Sequence, residues 1–374
     1  MKSKKPLILF LAAIISLSSC NNKIYKNDTG KTSLKNAYRK DFLIGTALSL
    51  DQINTTNPLA TQVISREFNS ITAENIMKSM YVQPTKGNYF FDTTDKFVAL
   101  GKKYKMFIHG HTLIWHSQLA PWVKEIKDSV EMKAFMKNHI NTVVSRYKGK
   151  IDSWDVVNEA LEEDGTLRKS VFFNTIGKDY LVHAYKLAAG IDPKTDLYYN
   201  DYSLCEPIKR KGAVELVKYL QKSGAKIDGV GEQGHWTLNS PSLEQIEQTI
   251  LDFSALGVKV AFSELDITVL PNPWDLQGAD VNQNFENSEK MNPYPTALPE
   301  SVQNQLAKRY EDIFKLFLKH KDKISRVTFW GVNDGQTWLN DWPIKGRTNY
   351  PLLFDRQFKP KKAYKTIISL KTEK

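Results

Sequence analysis

Eight short runs rich in β-branched and aromatic residues alternate with longer amphipathic segments, and this alternation constrains the fold more than any other feature. The predicted strands are Phe42–Ala47, Ser70–Ala73, Met106–His111, Ile151–Val157, Asp196–Tyr199, Gly229–Gln233, Lys259–Glu264 and Arg326–Trp330. Apolar residues recur at helical spacing between them, most clearly in Ser129–Tyr147, Glu206–Ser223 and Glu300–His320. Eight strand-then-helix units in about 340 residues predict one α/β domain, a (β/α)8 TIM barrel.

The structural alternative is a doubly wound open sheet, which usually carries a glycine-rich turn after its first strand. The segment at that place reads Gly45-Thr46-Ala47-Leu48 and contains no such turn. The sequence therefore favours the closed barrel over the open sheet.

Polar residues follow most of the predicted strands, where a barrel enzyme carries its active site. In chain order these strand ends are Glu74-Asn75, His109-Gly110-His111, Asn158-Glu159, Asn200-Asp201, Gln233-Gly234-His235, Glu264-Leu265-Asp266 and Trp330. Seven of the eight tryptophans also lie at or beyond strand ends: Trp115, Trp122, Trp236, Trp274, Trp330, Trp338 and Trp342. For Trp122, Trp274 and Trp342, packing beneath loops explains the position equally well. A rim of indoles and carboxylates suits a sugar, because indoles stack on pyranose faces and polar groups bind the hydroxyls.

Two glutamates, Glu159 and Glu264, end strands that lie across the barrel mouth from each other. Glycoside hydrolysis uses such a pair, with one carboxyl protonated and the other ionised. Glu264 and Asp266 share one face of a strand, and His235 on the adjacent strand end can bridge them and keep Glu264 ionised. Glu159 follows the apolar setting of strand four, which favours its protonated form.

At these residues the sequence resembles glycoside hydrolase family 10, the retaining β-1,4-xylanases, from about Phe42 to Leu370. The most specific motifs are WDVVNEA (Trp154–Ala160) and GVKVAFSELDI (Gly257–Ile267). Supporting motifs are TAENIMK (Thr72–Lys78), HGHTLIWHSQLAPW (His109–Trp122), YYNDY (Tyr198–Tyr202), GVGEQGHW (Gly229–Trp236), VTFWGVNDGQTWL (Val327–Leu339) and PLLFD (Pro351–Asp355).

The resemblance implies that Glu159 is the general acid/base and Glu264 the nucleophile, with no metal and no cofactor. It implies that His235 and Asp266 support Glu264 and that His116 and Asp155 form a pair near the acid/base. The residues implied to bind substrate are Glu74, Asn75, Lys78, His111, Trp115, Gln118, Asn158, Gln233, Trp330 and Trp338. Trp338 is expected to crowd the space of the glucose hydroxymethyl group and so favour xylose. Retention predicts carboxylate oxygens about 5–5.5 Å apart.

Two departures from the family pattern stand out. Thr337 replaces the usual Ser before Trp338, a change that we expect to be tolerated. The segment Pro271–Pro299, with five prolines and several asparagines, is longer than in compact members. It follows the nucleophile strand, so we expect a long loop that reshapes the leaving-group side.

Three other functions fit parts of the sequence pattern. His109 and His111 form an HxH pair, with His116 nearby, as in metal-dependent barrel hydrolases, but those usually carry the pair on the first strand. A non-catalytic glycan-capture protein needs the indoles but not both glutamates. A related barrel acting on cellulose or mannan shares the glutamates but not His111, Lys78 and Gln118.

The basic charge does not point to nucleic acid. The formal net charge is +11, and the runs Lys209–Lys211 and Lys359–Lys362 carry no interleaved aromatic residues. We interpret both runs as solvated faces and expect no nucleic-acid partner. The expected partner is xylan or a xylo-oligosaccharide, and the expected state is a monomer.

The N-terminal segment predicts export. Lys2, Lys4 and Lys5 precede a short apolar run, Leu7–Leu17, and then Leu17-Ser18-Ser19-Cys20, which looks like a bacterial lipobox. We expect a signal peptide over 1–19, lipidation of Cys20, a polar tether over 20–34 and the catalytic domain over 35–374. Cleavage removes three lysines, giving +11 − 3 = +8, and leaves Cys205 as the only side-chain thiol. The protein is then anchored to a bacterial membrane only by this lipid, with the periplasmic side favoured because the residues after Cys20 lack an acidic run.

Overall fold

The computed structural model describes residues 32–372 and contains a closed barrel of eight parallel strands. The described residues form ten strands, which are β1 (Leu43–Leu48), β2 (Ser70–Ala73), β3 (Phe107–Gly110), β4 (Ile114–Trp115), β5 (Ser153–Asn158), β6 (Asp196–Asp201), β7 (Gly229–Glu232), β8 (His235–Thr237), β9 (Lys259–Thr268) and β10 (Ile324–Phe329). Two of them, β4 and β8, are short and extend the barrel at the carboxyl ends of β5 and β9. The order around the barrel is β10-β1-β2-β3-β5-β6-β7-β9, and β9 pairs with β10 to close it. The predicted (β/α)8 barrel is confirmed.

Helices surround the barrel in alternation with the strands. They are α1 (Leu34–Ala37), α2 (Leu50–Ile53), α3 (Pro58–Glu67), α4 (Ser79–Val82), α5 (Asp92–Lys103), α6 (Pro121–Lys124), α7 (Ser129–Tyr147), α8 (Val171–Ile176), α9 (Asp179–Ile191), α10 (Pro207–Lys222), α11 (Leu243–Ser254), α12 (Glu300–Lys319) and α13 (Lys362–Thr372). Short 3₁₀ turns occupy Glu289–Met291 and Trp338–Asn340.

Local signals explain where the long helices begin. The Asp128 side chain accepts hydrogen bonds of 2.9 Å from the backbone N–H groups of Val130 and Glu131, which fixes the start of α7. Pro207 occupies the first turn of α10, where its missing N–H has no cost. The three helices predicted from apolar spacing therefore appear within one residue of their expected bounds.

Strand β9 runs four residues further than predicted, through Thr268. The reason is β8, which continues the line of β7 and pairs in parallel with β9, His235 opposite Asp266. The added ladder places Glu264 and Asp266 inside a strand instead of in a loop. The backbone N–H of Glu264 donates to the Gln233 carbonyl at 2.7 Å and that of Asp266 to the Gly234 carbonyl at 3.2 Å, which fixes the main chain that carries both carboxylates.

Two glycines allow side chains to fill the barrel interior. A Cβ atom on Gly110 would lie 2.2 Å from the Trp154 ring, and one on Gly231 would lie 2.2 Å from Oδ1 of Asn200. Only a residue without a side chain fits at either position. Gly231 thereby leaves room for Asn200 at the barrel mouth.

The compact domain begins at Ser33, since Ser33 and Leu34 are buried and the Leu34 N–H donates to the Glu67 carboxylate at 2.9 Å. It thus includes two residues that the sequence pattern places in the tether. The predicted signal peptide, Cys20 and the tether through residue 31 lie outside the described residues. Between residues 32 and 372, no helix combines the length and the apolar character needed to cross a membrane.

Candidate active site

A cleft of about 360 Å³ opens at the carboxyl ends of the strands. All ten residues predicted to bind substrate line it: Glu74, Asn75, Lys78, His111, Trp115, Gln118, Asn158, Gln233, Trp330 and Trp338. Glu159, Glu264 and His235 line the same cleft. The structure therefore brings both candidate catalytic carboxylates and the predicted sugar-binding side chains to one place.

Glu159 follows β5 with its carboxylate surrounded by donors. Its Oε2 accepts a hydrogen bond of 2.7 Å from the Trp115 indole, and its Oε1 accepts bonds of 2.9 Å from Gln233 and 3.1 Å from Asn158. Its backbone is left-handed, with φ +55°, a conformation that a glutamate adopts only when its surroundings impose it.

The environment of Glu159 favours its protonated form. Burial, followed by the nearby negative charge of Asp201, raises the pKa of Glu159 to about 7, and the Gln233 and Trp115 bonds offset only part of this effect. A carboxyl group with a pKa near neutrality is suited to donate a proton and later to take one back.

Glu264 lies inside β9 and is held by a cation and an amide. Its Oε1 accepts a hydrogen bond of 2.8 Å from Asn200, and its Oε2 lies 3.3 Å from Nε2 of His235. The other ring nitrogen of His235 lies 3.0 Å from Asp266, whose second oxygen accepts a 2.8 Å bond from the Trp338 indole. The bridging position predicted for His235 between Glu264 and Asp266 is what the structure shows.

This arrangement keeps Glu264 ionised. Burial alone would lower the pKa of His235, but the charge of Asp266 and hydrogen bonds to Asp266 and Glu264 raise it to about 10, so the ring is a cation. Burial of Glu264 favours its neutral form, yet the bond to His235 and the positive charges around it hold its pKa below the ordinary value. The two buried glutamates are thus pushed in opposite directions, the pattern of an acid and a nucleophile.

A pair of amides connects the two carboxylates. The Asn200 side chain donates to Glu264 at 2.8 Å and to the Asn158 oxygen at 2.9 Å, while Asn158 donates to Glu159. Ser263 donates to the Asn200 oxygen at 2.5 Å and fixes its orientation. Asn200 is not among the residues predicted for the site, although its place at a strand end was a usable signal.

The predicted pairing of His116 with Asp155 is wrong. Oδ2 of Asp155 lies 2.9 Å from Nε2 of His109 and 2.9 Å from Nδ1 of His111. The cause is strand register, because His109 is paired with Ser153 and Asp155 therefore faces β3. His116 instead lies near the backbone of Glu159. Within residues 32–372, no group of three or more His, Cys, Asp and Glu side chains is arranged to hold a metal ion.

Comparison with known proteins places this geometry in a family. Residues 33–370 match the family described as glycosyl hydrolase family 10. Endo-1,4-beta-xylanase A of Xylanibacter ruminicola is 44% identical over 343 residues, which cover 90% of this chain and 93% of that protein. An endo-1,4-beta-xylanase of Geobacillus stearothermophilus is 39% identical over 351 residues, covering 90% and 98%. The solved structure of a GH10 endoxylanase from sugarcane soil metagenome superposes with a TM-score of 0.88 at 46% identity, covering 90% of this chain and 100% of that one.

The chain belongs to glycoside hydrolase family 10. On one wall of the cleft of this family 10 hydrolase, Lys78 is buried, donates to Asn75 at 2.8 Å and lies over the Trp115 ring at 4.9 Å. Gln118 has a left-handed backbone, φ +43°, and its buried Oε1 has no hydrogen-bond partner among the described residues. Both side chains therefore present hydrogen-bonding groups to a ligand in the cleft.

A further part of the cleft lining comes from two loops. Sequence reasoning expected the loop over 271–299 to shape the site and left Trp342 undecided, but it did not name Ala279, Val281 or Asp341. These four residues line the cleft. Trp342 stacks on Trp338 with ring centroids 4.4 Å apart, and its indole N–H donates to the Asp280 carbonyl at 3.2 Å. The segment 271–299 is largely irregular, as predicted, but it is tied to the loop after β10 and forms part of the cleft.

The three tryptophans whose role the sequence left open have three different environments. Trp122 packs edge-on against Phe135 and donates to the Gln83 carbonyl at 3.2 Å, so it is a packing residue. Trp342 lines the cleft. Trp274 is 95% exposed, so packing beneath a loop is wrong for this residue.

Proposed function

We propose that the protein hydrolyses internal β-1,4-xylosidic bonds of xylan with retention of configuration, using Glu159 as general acid/base and Glu264 as nucleophile. The observation that carries the proposal is the opposite effect of the cleft on two buried glutamates. Burial and Asp201 raise the pKa of Glu159 to about 7, whereas His235 and Asn200 help to hold the pKa of Glu264 below its ordinary value.

The chemistry follows from these two states. The Glu264 carboxylate attacks the anomeric carbon while Glu159 gives its proton to the leaving glycosidic oxygen, which produces a glycosyl ester on Glu264. Water then enters, Glu159 takes its proton, and the hydroxyl forms the new bond to the anomeric carbon as the ester breaks. A pKa near 7 lets Glu159 act in both steps.

Two observations support xylose as the sugar. The relatives from Xylanibacter ruminicola and Geobacillus stearothermophilus are named as endo-1,4-beta-xylanases and match this chain over most of its length. Trp338 is fixed from both sides, by its hydrogen bond to Asp266 and by its stacking on Trp342. A rigid indole in the cleft disfavours a sugar with an extra hydroxymethyl group, since neither contact lets the ring move aside.

A timed digest of plain and glucuronate-decorated xylan, followed by proton NMR of the anomeric signals, tests the mechanism. Retention predicts that β-anomer products appear first and mutarotate later, whereas initial α-anomer would contradict the proposal. Parallel assays on carboxymethylcellulose and mannan test the substrate class. Equal or faster hydrolysis of either polymer would overturn the assignment to xylan.

We further propose that the protein is an exported monomer anchored by a lipid on Cys20, facing the periplasm. The support is the basic start, the short apolar run and the cysteine at the expected boundary. Cys20→Ser should move the protein from the membrane fraction to the soluble exported fraction. Degradation of the anchored protein by protease added to intact cells would contradict the periplasmic orientation.

A further inference from the structure

A buried ion pair lies behind the acid/base without lining the cleft. Asp201, at the end of β6, and Lys209, in α10, are both 0% exposed, and Oδ1 of Asp201 lies 3.1 Å from the Lys209 amine. Asp201 also accepts hydrogen bonds from the Tyr199 hydroxyl and from the Tyr202 N–H. This finding corrects one prediction, because Lys209 belongs to a basic run that we interpreted as a solvated face.

Lys209 makes two further contacts besides the one to Asp201. Its amine lies 3.0 Å from Glu163 and 3.5 Å from the centre of the Tyr202 ring. A fully desolvated lysine is costly unless each interaction is satisfied, so this pair is a strongly constrained element of the fold.

The pair is connected to the backbone of the acid/base. The Tyr199 hydroxyl, which donates to Asp201, accepts a 3.1 Å bond from the N–H of Ala160, the residue after Glu159. Arg168 donates to the Glu159 carbonyl at 3.2 Å, and it also donates to the Tyr202 hydroxyl at 3.0 Å. These contacts support the left-handed conformation of Glu159 from the side away from the cleft.

We propose that Asp201, held by Lys209, is a positioning residue for the acid/base: it fixes the backbone at Glu159 and keeps a negative charge near the Glu159 carboxyl group. This inference rests on the proposed role of Glu159. Asp201 touches neither the cleft nor the reacting atoms. It therefore acts on Glu159 in two ways, through the hydrogen bonds of Tyr199 and through the electrostatic effect of its negative charge.

The charges around both carboxyl groups determine the sign of the effect. The groups facing Asp201 are Lys209 from α10, Arg168 from the loop after β5, Tyr180 from α9, and Tyr199 and Tyr202 from β6 and its loop. The charged and titratable groups facing Glu159 are Asp201, Glu264 from β9, Lys78 from the loop after β2, Tyr202, Arg168 and His116, and its carboxylate also accepts from Trp115, Gln233 and Asn158. After burial, Asp201 is the largest cause of the raised pKa of Glu159.

Replacing Asp201 by a neutral residue therefore lowers the pKa of Glu159, because the repelling anion disappears while Lys209 stays. Activity requires protonated Glu159, so the alkaline limb of the pH profile moves to lower pH. The test is kcat/KM against pH for Asp201→Asn in the full chain, measured on an aryl β-xylobioside with a poor leaving group. We expect a displacement of about 0.5–1 pH unit.

The matched control is Glu232→Gln. Glu232 is a second buried carboxyl group, with its pKa also raised to about 7 by burial, but it bonds the N–H groups of Leu204 and Gly234 and lies outside the contacts of Glu159. A purely structural defect should appear in both variants as a lower thermal midpoint with an unmoved alkaline limb. An unmoved limb in Asp201→Asn, or an equal displacement in Glu232→Gln, overturns the proposal.

Tyr199→Phe tests positioning separately and replaces the first variant if Asp201→Asn does not fold. It removes the hydroxyl between Asp201 and Ala160 but keeps both charges. We expect kcat/KM, which reports the first chemical step, to fall about fivefold or more on the poor leaving group, which needs the proton, and far less on a dinitrophenyl leaving group. Equal losses on both substrates overturn the positioning role. If Glu159→Ala retains full activity on the poor leaving group, the proposed function itself fails, a result distinct from all of these.

Discussion

The cleft has two parts that are built differently. The part at the strand ends holds Glu159 and Glu264 through a continuous set of side-chain hydrogen bonds, in which Asn158, Asn200 and His235 each have a defined partner. The part built by loops, including Ala279 and Trp342, contributes surface and is held largely by stacking and by bonds to backbone carbonyls. The difference indicates that the strand ends determine the chemistry, while the loops determine how a long substrate is accommodated.

The largest expected effects come from removing the carboxylates. Glu264→Ala should lose at least about 10⁴-fold in kcat on every substrate, because no group remains to form the covalent intermediate. In Glu159→Ala, kcat/KM on unactivated xylobiosides should fall about 10²- to 10⁴-fold. The first chemical step on a dinitrophenyl xylobioside should keep its rate, because that leaving group needs no proton.

Added azide distinguishes the two roles. In Glu159→Ala, azide should restore turnover by attacking the covalent intermediate, and the product should be the β-xylobiosyl azide. In Glu264→Ala, azide should enter the space of the missing carboxylate and give the α-azide. NMR of the azide products gives the anomer directly. If both variants gave the same anomer, the assignment of Glu159 as acid/base and Glu264 as nucleophile would be wrong.

Asp266→Asn should shift the acid limb of the pH profile to higher pH. Without the Asp266 charge, the pKa of His235 falls from about 10, the ring becomes less cationic, and the pKa of Glu264 rises. Glu264 must be ionised to react, so activity is lost at a higher pH as the solution is acidified.

The control for this shift is Asp341→Asn, which removes a carboxylate from the loop part of the cleft. The kcat/KM profile of this variant should keep the acid limb of the parent. A shift equal to that of Asp266→Asn would mean that any cleft carboxylate tunes the nucleophile, and the contrast between strand ends and loops would not hold.

Trp342→Phe should affect binding more than chemistry. The change removes the indole N–H that donates to the Asp280 carbonyl but keeps an aromatic ring beside Trp338. This bond lies within the protein and is worth about 0.5–1.5 kcal/mol to the position of the loop, so we expect KM on xylan to rise by at most about tenfold with kcat nearly unchanged. Steady-state kinetics on xylan give both values, and a kcat loss larger than the KM change would assign Trp342 to the catalytic part.

Trp274→Ala should give the smallest effect. The exposed indole lies on the segment that contributes Ala279 and Val281 to the cleft, and it offers a face for sugars beyond the cleft. We expect KM on long xylan to rise about two- to threefold, with an unchanged KM on an aryl xylobioside. Val130→Ala, at an exposed position on α7, is the matched surface control, and equal behaviour of the two variants would contradict a role for Trp274.

Sequence reasoning reached the strand-end part of the cleft because its residues carry chemical signatures at regular places. Glu159 and Glu264 each end a β-rich run, and the alternation of runs and helices implies a barrel. Sequence reasoning was wrong where a contact depends on the register between two strands. Asp155 contacts His109 and His111 only because β3 pairs with β5.

The sequence indicated that the long loop shapes the site, but it did not identify the residues of the loop part that line the cleft. Ala279 and Val281 have no chemical signature, and only the folding of 271–299 against the loop after β10 brings them to the cleft. Lys209 was misread because a run of basic residues at the start of a helix usually faces water. Its burial depends on Asp201, a partner that local sequence does not reveal.

Gly231 shows how a residue without chemistry can govern a catalytic group. Asn200 occupies the space where the Gly231 side chain would be, and Asn200 in turn donates to Glu264. A random-mutagenesis screen for inactive but well-expressed clones should therefore recover substitutions at this glycine alongside those at the glutamates. Genetics would then mark as essential a position that never meets the sugar.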